Sequence, residues 1–436
     1  MASSLSRRLL LRAAASAGPA LFTLSLGGRR VLGANDRLDI GIIGVGGRGG
    51  ANLDAVAGEN IVALCDVDEQ RLTAAGGRFP AAERFADYRA MLAEAKLDAV
   101  VISTPDHHHA PATVRALQRG LHVYCEKPLT HTVAEARLVA KIAAQKGVAT
   151  QMGTQNHEHP GYLRLVELLR AGAIGQVSDV HVITDRPGTW WPQGIEAPQG
   201  GQPVPSDLNW DLWLGPAANR AYDPAYVPFK WRGWWDFGCG AVGDMAIHLA
   251  DPAFWGLNLA GPVRVSSQGP APNPDSAPTW MQTTYEFAAR GKRGPVKLHW
   301  YEGETKAPVG VAADLPMNGS LFVGTQGRIA IAHDGLPRLL PEEQFKDFVP
   351  PPPSLLESPG HHRQWIEACK TGSRTGSPFS YAAPFTETVL LGSVAYRAGV
   401  PIEYDPATGL VTNDQAANGW LSKEYRKGFE VSESPV

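Results

Sequence analysis

A short apolar run in the first third of the chain ends abruptly in charged residues. The stretch HVYCEKPLT, residues 122–130, is typical of a buried strand, and it then delivers Glu126, Lys127 and Pro128. A partly desolvated lysine at such a place can hold a substrate oxygen or share its proton, while proline ends regular strand pairing. We therefore expect Lys127 to act on a substrate; a surface ion pair at a strand end is the alternative.

A second candidate pair lies in the stretch GDMAIHLAD, residues 243–251. Asp244 and His248 stand four positions apart in an apparent helix and therefore share one face. A carboxylate one turn from an imidazole can orient the ring and favour its charged form, which suits an acid–base group near neutral pH. His248 would then take the proton of a substrate hydroxyl. The alternative is an N-capping Asp244 with a core histidine, and Asp251 could cap or coordinate instead.

Glycines follow the first apolar strand in G-x-G-x-x-G spacing, at Gly44, Gly46 and Gly49, with Arg48 inside the turn. Such glycines let backbone N–H groups and a helix N-terminus approach a pyrophosphate. The next apolar strand ends in Asp66, near the offset at which an acid meets the adenosine ribose. A carboxylate there repels a 2′-phosphate, so the pattern favours NAD over NADP. An ordinary glycine-rich turn is the alternative.

These residues need a scaffold, and strand and helix patterns alternate along residues 38–153. That alternation predicts an α/β fold with a doubly wound parallel sheet. Ligands of such sheets bind beyond the carboxyl ends of the strands. The residues expected there, besides the glycine-rich turn, are Ser103, Thr104, Pro105, Glu126, Lys127, Gln151 and Gln155.

From Val177 the pattern changes to alternating strands, which predicts a sheet with one buried face. Residues 190–240 are dense in Trp, Pro and Gly. There Arg232, Trp234 and Trp235 could grip hydroxyls and stack on sugar faces, although core packing explains the tryptophans equally well. Two helical stretches near the end, residues 360–372 and 381–399, are expected to pack back on the sheet or the first domain. The polar tail should wrap a neighbour or the surface.

The whole-chain composition fits a compact soluble protein of 436 residues, with 44% hydrophobic and 19% charged residues. A chain of this length predicts two domains, here residues 35–155 and 156–436. The net charge of −3 gives no support for nucleic-acid binding. The four cysteines lack C-x-x-C spacing, so we expect buried free thiols.

The first 34 residues differ from the globular pattern of the rest of the chain, because Arg7 and Arg8 precede a moderately apolar run. The run is too short and interrupted for a stable membrane span. Paired arginines resemble the twin-arginine export signal, which suits a folded protein that takes up its cofactor in the cytoplasm. We expect a periplasmic or exported protein and the twin-arginine machinery as a partner; a frayed basic helix is the alternative. Cleavage after Ala34 and uncleaved tethering both stay open.

The motifs GIIGVGGRG, STPDHHHA and CEKPLT, in this order and spacing, resemble the Gfo/Idh/MocA family of nicotinamide-dependent sugar oxidoreductases. The resemblance implies a Rossmann domain followed by an α/β domain with a large open, mostly antiparallel sheet, often an oligomer interface. A homodimer or tetramer through this sheet is therefore expected.

The resemblance also implies individual roles. Lys127, Asp244 and His248 match the family's catalytic trio, and Glu126 matches a residue on the cofactor side. The family's T-P-N-x-x-H pattern falls on Thr104, Pro105 and His109, although Asp106 replaces the commoner asparagine. The consecutive histidines 107–109 could suggest a metal site, but three successive residues cannot all face one ion in regular structure, so no metal is expected.

The leading functional hypothesis is an NAD(H)-dependent oxidoreductase acting on a secondary hydroxyl of a sugar, cyclitol or glycoside. Since free NAD is scarce outside the cytoplasm, an exported enzyme would need tightly held cofactor. Tight retention also permits an NAD-assisted glycoside hydrolase, in which oxidation, elimination, hydration and re-reduction leave the cofactor unchanged. A sugar-binding protein without turnover is the third hypothesis, which loss of Lys127, Asp244 or His248 would have favoured.

Overall fold

The computed structural model describes residues 36–259, 261–355 and 357–434. The expected export signal, residues 1–34, therefore lies outside the described residues. In the part of the chain that is described, no helix combines the length and the apolar content that a membrane span requires.

The first half of the chain forms a six-stranded sheet in which all strands are parallel, in the order β3-β2-β1-β4-β5-β6. This is the predicted doubly wound sheet, and the order reverses between β1 and β4, where such sheets bind their ligands. The strands are β1 (Asp39–Ile43), β2 (Asn60–Cys65), β3 (Glu83–Phe85), β4 (Ala99–Ile102), β5 (His122–Glu126) and β6 (Thr150–Gly153).

The helices between these strands carry clear local start and stop signals. The Thr132 side chain and the Glu135 side chain cap each other's backbone at the start of the fifth helix, and Gly147 ends it in a left-handed conformation. Asp68 caps the second helix by accepting from Arg71 N. The helices are α1 (Arg48–Val56), α2 (Glu69–Arg78), α3 (Tyr88–Glu94), α4 (Asp106–Gln118) and α5 (Val133–Lys146).

The second half forms a nine-stranded sheet in the order β13-β12-β11-β7-β10-β9-β8-β14-β15. Its neighbours are antiparallel except β7 and β10, which run parallel. This confirms the large, mostly antiparallel sheet. The strands are β7 (Val177–Thr184), β8 (Arg264–Gln268), β9 (Met281–Phe287), β10 (Val296–Glu302), β11 (Gly319–Gly324), β12 (Gly327–Ala332), β13 (Arg338–Leu340), β14 (Ile402–Asp405) and β15 (Leu410–Val411).

Helices of the second half connect the two sheets. The longest one lies across β8 and β9, where Tyr285 OH donates to Val389 O at 3.0 Å and Ser267 Oγ donates to Gly392 O at 2.9 Å. The α-helices are α6 (Pro160–Arg170), α7 (Arg186–Thr189), α8 (Trp210–Leu214), α9 (Ile247–Leu249), α10 (Asp251–Gly256), α11 (Val309–Ala312), α12 (His361–Thr371) and α13 (Phe379–Ala398). Shorter turns are the 3-10 helices Gln155–Glu158, Lys230–Gly233, Glu342–Phe345 and Ala416–Leu421 and the π-helix Val242–Ala246.

The C-terminal helices and the tail pack against the first domain. Helix α13 lies against α5 and α12 against α1. The tail follows the first domain too: Gly428 O accepts from Arg89 Nη1 at 3.1 Å and from Arg115 Nη2 at 2.8 Å, and Tyr425 OH donates to Glu135 at 2.7 Å. The tail therefore reaches the edge of the ligand-binding end of the first sheet.

Candidate functional site

A cavity of about 1050 Å³ opens beyond the carboxyl ends of β1, β2, β4 and β5. Residues of both halves of the chain line it. Most of the predicted site residues are among them, namely Gly44, Gly46, Arg48, Asp66, Thr104, Pro105, Glu126, Lys127, Arg232, Asp244 and His248.

The glycine-rich turn forms a narrow cradle at one end of the cavity. Gly44 has a φ of +83°, and a Cβ there would lie 2.7 Å from Ser103 O. A Cβ on Gly49 would lie 1.9 Å from Gly44 O, so this glycine lets α1 start directly against the turn. Gly49 packs against the backbone of Gly44. Gly44, Gly46 and Arg48 line the cavity. The start of α1 thus offers backbone N–H groups to an anionic ligand.

Asp66 lies beside this cradle at the end of β2. Its carboxylate accepts from Val45 N at 2.9 Å and from Asp68 N at 3.0 Å, so it also fixes the glycine-rich turn. Burial raises its pKa, although these two backbone hydrogen bonds oppose the shift. Arg71 crosses the turn nearby, paired with Asp68 at 3.1 Å. Carboxylates outnumber cations around this end of the cavity, which Asp66, Asp68, Asp87, Asp207 and Arg71 line.

The segment after β4 presents both a free hydroxyl and a structural histidine. Thr104 Oγ1 is buried and has no hydrogen-bond partner among the described residues, so it is available to a ligand. His109 was expected to line the cofactor, but it lies behind the cavity, with its ring nitrogens 2.9 Å from Thr104 O and 2.7 Å from Pro128 O. Burial lowers the pKa of His109 to about 4, and a neutral ring donates to one carbonyl at a time. It joins the Thr104 loop to the Lys127 loop.

Glu126 is held by a hydrogen-bond network that the sequence did not reveal. Its Oε1 accepts from Asn52 Nδ2 at 2.9 Å and from Gln155 Nε2 at 2.8 Å. Gln155 therefore reaches the cavity through Glu126 rather than directly. His362, from α12, contacts Asn52 Oδ1 at 3.0 Å and stacks on Tyr124 with ring centres 4.8 Å apart. The C-terminal helices thus fix the cofactor-side carboxylate.

Lys127 and Asp244 meet across the two domains. Lys127 Nζ donates to Asp244 Oδ1, and Arg232 Nε lies 3.4 Å from the same oxygen. Burial alone would raise the pKa of Asp244, but the charges of Lys127 and Arg232 and the hydrogen bond from Lys127 hold it below its usual range. Asp244 is therefore ionised and fixes both cations at the cavity wall.

His248 faces the same cavity from the turn after Asp244. The segment is π-helical at Val242–Ala246, and four positions still return to nearly the same face. Asp244 favours the charged form of His248, as expected, but burial and then the charges of Lys127 and His333 outweigh this contribution and hold the pKa of His248 well below its usual value. Nδ1 of His248 is buried and unpartnered within the described chain. The imidazole is thus neutral and can accept a proton.

The aromatic wall of the cavity consists of other residues than those predicted. Trp234 is 1% exposed and Trp235 7% exposed, and their indole N–H groups donate to Ala225 O at 2.9 Å and Asn273 O at 3.1 Å. Both tryptophans pack in the core, and this assignment to the substrate site is corrected. The aromatic rings next to Arg232 that do line the cavity are those of Trp191, Trp231 and Phe229.

The histidine triplet and Asp106 lie inside α4. His107 and His108 contact Trp213 O at 3.1 and 2.8 Å, so they tie α4 to the second half. Within the described ranges, no set of three His, Cys, Asp or Glu residues is arranged to hold a metal ion. Asp106 lines the cavity, accepts from Cys239 N at 3.1 Å, and has a pKa raised by burial to about 7.

Three further cavity residues were not singled out in the sequence: Arg186 after β7, His333 after β12, and Phe429 in the tail. The ring of His333 lies 5.4 Å from that of His248. Phe429 packs against Tyr88 and His108, with ring centres 6.3 and 6.2 Å apart. None of these three residues belongs to a sequence motif, so only the tertiary structure shows that they line the cavity.

Comparisons with known proteins agree with this architecture. Residues 38–154 match the Gfo/Idh/MocA family model described as an oxidoreductase family with an NAD-binding Rossmann fold. Residues 169–340 match the model of the same family's C-terminal alpha/beta domain. Together the two matches cover more than half of the chain.

Curated relatives match about a third of this chain. Inositol 2-dehydrogenase of Rubrobacter xylanophilus is 32% identical over 148 residues, which are 33% of this chain and 42% of the relative. D-apiose dehydrogenase of Paraburkholderia graminis is 36% identical over 120 residues, 28% of this chain and 32% of the relative. The match thus spans less than half the length of these relatives.

Solved structures match over both domains, at identities that show the fold alone. The WlbA dehydrogenase of Bordetella pertussis, in complex with NADH and UDP-GlcNAcA, has a TM-score of 0.59 at 19% identity, covering 85% of this chain and 99% of that one. The aldose-aldose oxidoreductase of Caulobacter crescentus, complexed with glycerol, has a TM-score of 0.56 at 16% identity, covering 84% and 99%. With both of its domains matched in order, the chain belongs to the Gfo/Idh/MocA oxidoreductase family and carries that family's NAD-binding Rossmann domain.

Proposed function

We propose that the chain is an NAD-dependent dehydrogenase that acts on a secondary hydroxyl of a sugar, cyclitol or glycoside. The observation that carries this proposal is the convergence of Lys127, Asp244 and His248 on one cavity that continues into the glycine cradle. A hydroxyl placed between the lysine and the histidine has a donor for its oxygen and an acceptor for its proton.

The residues of the cradle fit a dinucleotide. The close approaches at Gly44 and Gly49 leave no room for side chains, and the unpartnered Thr104 hydroxyl supplies a polar contact. When bound, the nicotinamide ring supplies hydride acceptance from the substrate carbon. Arg48 and the start of α1 would hold the pyrophosphate, and Glu126 lies on the side of the cavity next to Lys127.

Two side chains of the protein act on the substrate hydroxyl, one as proton acceptor and one as hydrogen-bond donor. Neutral His248 accepts the hydroxyl proton: its depressed pKa leaves the ring unprotonated at neutral pH but makes it a weak base, so the hydroxyl must be acidified by the Lys127 ammonium. The Lys127 ammonium has three N–H donors, of which Asp244 takes one, so another can stabilise the developing alkoxide oxygen. Asp244 and Arg232 keep the lysine in position.

We propose NAD rather than NADP as the cofactor. Asp66 stands at the end of β2, and further carboxylates line the same end of the cavity, while Arg71 is already paired with Asp68. A 2′-phosphate would meet like charges there, which disfavours it.

We further propose that the cofactor is held tightly. The loop after β2 is joined to the second half by backbone hydrogen bonds, from Glu69 N to Asp207 O at 2.8 Å and from Asn209 N to Val67 O at 2.9 Å. Phe429 adds a wall from the tail, held by Arg89 with its Cζ 3.9 Å from the ring centre. An adenosine bound beside Asp66 would be covered by chain segments that must open before it leaves.

Tight retention supports two linked proposals. The first is export of the loaded protein through the twin-arginine route, for which Arg7 and Arg8 are the motif. The second, as an alternative function, is an NAD-assisted glycoside hydrolase. Its cycle needs a second proton acceptor for the carbon next to the oxidised one, and His333 stands 5.4 Å from His248 in the same cavity.

A homodimer or tetramer through the large sheet is also proposed. The outward face of β7, β9 and β10 carries charges that are direct cross-strand neighbours, with Lys297 beside both Asp179 and Glu286. A flat face of alternating charge can pair with a copy of itself by two-fold symmetry. Light scattering of the purified protein measures the oligomer size.

The function is tested by mixing purified protein and NAD with methyl glycosides and inositols, and recording nicotinamide absorbance together with aglycone release. Net NADH formation supports the dehydrogenase. Aglycone release without net NADH formation supports the hydrolase. If protein with bound NAD does neither while still binding glycosides, it is a sugar-binding protein and the proposal fails.

A further inference from the structure

Arg186 occupies the first turn after β7, at the wall of the cavity. Its neighbour Asp185 is engaged elsewhere, because Asn318 Nδ2 donates to Asp185 Oδ1 at 2.9 Å while Thr184 Oγ1 donates to Asn318 Oδ1 at 2.7 Å. The guanidinium instead lies over Trp190, with Cζ 3.6 Å from the ring centre. The indole covers one face of the guanidinium and leaves its edge free.

The cations that line the cavity differ in whether the protein neutralises them. Arg71 pairs with Asp68, and Lys127 and Arg232 share Asp244. Arg48 and Arg186 form no ion pair with any described residue. Arg48 stands at the cradle, where the cofactor's pyrophosphate would pair with it, so Arg186 is the cation left without an anion.

The surroundings of Arg186 make its lack of an anionic partner energetically unfavourable. Its Nε is buried and has no hydrogen-bond partner within the described ranges. A buried charged donor without an acceptor is unfavourable, and stacking on an indole does not replace the missing hydrogen bonds. The arrangement is therefore suited to an anion that arrives with the ligand.

The position of Arg186 places that anion on the substrate. Arg186 is close enough to His333 for its charge to act on that ring, and His333 lies 5.4 Å from His248. The guanidinium thus lies on the side of the cavity that His333 and His248 line, where it can meet a substituent of the sugar.

Given the proposed dehydrogenase, on which this inference rests, we propose that the substrate is an acidic sugar and that Arg186 binds its carboxylate, as in a hexuronic acid or its glycoside. A guanidinium matches a carboxylate through two parallel N–H···O bonds. A phosphate monoester carries nearly twice the charge, and a single unpaired arginine suits the carboxylate better.

The test is a calorimetric titration of the protein loaded with NADH, which cannot accept a hydride, so that binding of the sugar is measured without turnover. The probes are methyl glucuronide against methyl glucoside and methyl galacturonide against methyl galactoside, with glucose 6-phosphate as a third anion. We expect at least one uronide to bind about 10-fold to 100-fold more tightly than its neutral partner, as a charge-assisted hydrogen bond predicts. In Arg186→Gln the ratio of uronide affinity to neutral-glycoside affinity should fall to about one. In Arg186→Lys the ratio should be intermediate, because an ammonium keeps the charge but lacks the two parallel N–H groups of the guanidinium.

Arg338→Gln is the matched control, since Arg338 is exposed and pairs with Glu342; it should leave the ratio unchanged. If neither uronide binds more tightly than its neutral partner, or if glucose 6-phosphate binds more tightly than both uronides, the carboxylate assignment is wrong. Because binding is measured directly, a uronide preference without NADH formation would refute the proposed dehydrogenase and leave the acidic-sugar site standing.

Discussion

Lys127 and Asp244 form an ion pair that joins the end of β5 to the π-helix of the second domain. The pair fixes the lysine at the point where the cofactor-side and substrate-side parts of the cavity meet. Since Arg232 also contacts Asp244, the carboxylate keeps a cationic partner when the lysine is removed. The role of Lys127 can thus be tested with little expected damage to the fold.

Lys127→Ala should lower turnover by about 10² to 10⁴-fold, because the donor for the developing alkoxide is lost in the transition state. Cofactor content should stay unchanged, since the cradle is intact. Steady-state kinetics and the nicotinamide released on denaturation check both points. Lys141→Ala is the control, as Lys141 is exposed and pairs with Glu433. Turnover near the wild-type value would show that the family role does not apply to Lys127.

Asp66→Asn should relax the preference for NAD over NADP by at least about tenfold, because the charge that repels a 2′-phosphate is removed. The amide oxygen can still accept from Val45 N, which preserves the glycine-rich turn better than alanine would. The ratio of the two dissociation constants measures the effect. Asp54→Asn, on the exposed side of α1, should leave the ratio unchanged. An unchanged ratio in Asp66→Asn would mean that the adenosine end is recognised elsewhere.

Asp106→Asn should change how stability depends on pH. Burial raises the pKa of Asp106 to about 7, so the folded state binds this proton more tightly than the unfolded chain. Stability from this group is present below the unfolded pKa and is lost as pH rises through about 7. Relative to the variant, the wild type should lose on the order of 3 kcal/mol between pH 5 and pH 8.

Chemical denaturation of the cofactor-free protein at both pH values measures that difference for Asp106. Asp347→Asn serves as the control because Asp347 is exposed. A stability difference between wild type and Asp106→Asn that is the same at both pH values would exclude a buried carboxyl that titrates near neutrality.

Phe429→Ala should release bound NAD at least about tenfold faster, because the tail's wall beside the adenosine end is removed. Displacement of the bound dinucleotide by an excess of a fluorescent analogue measures the rate. Trp420→Ala perturbs the same tail at a residue that is 41% exposed, and should have little effect on release. Equal release rates for all three proteins would show that retention does not depend on the tail.

The fold could be predicted from the sequence where periodicity is strong. The parallel strands β1, β2, β4 and β5 and the strands β7 and β9 to β12 have apolar alternation or largely apolar runs. Strands β8, β13, β14 and β15 were missed, because RVSSQ in β8 is polar and the other three are only two to four residues long. Pairing with a neighbour, rather than local pattern, makes these segments strands.

The site residues that the sequence predicted correctly are also those with a clear local pattern. Lys127, Asp244 and the glycine cradle belong to motifs with fixed spacing, so the sequence indicated them. Trp234 and Trp235 were assigned to substrate because composition cannot tell a sugar platform from a packed aromatic cluster. The charge state of His248 depends on burial and on Lys127, a residue more than a hundred positions away, so the spacing to Asp244 indicated that carboxylate's contribution but not the net shift of the pKa.

The measurement that tests the central claim most directly is a rapid-mixing experiment on purified protein saturated with NAD, in which nicotinamide absorbance is followed after addition of glycosides, uronides or inositols. We predict NADH formation in the wild-type protein with at least one of these compounds, at least transiently, and none on the same timescale in Lys127→Ala. Absence of any NADH signal in wild type with stoichiometric bound NAD, or the same signal in both proteins, would contradict the account.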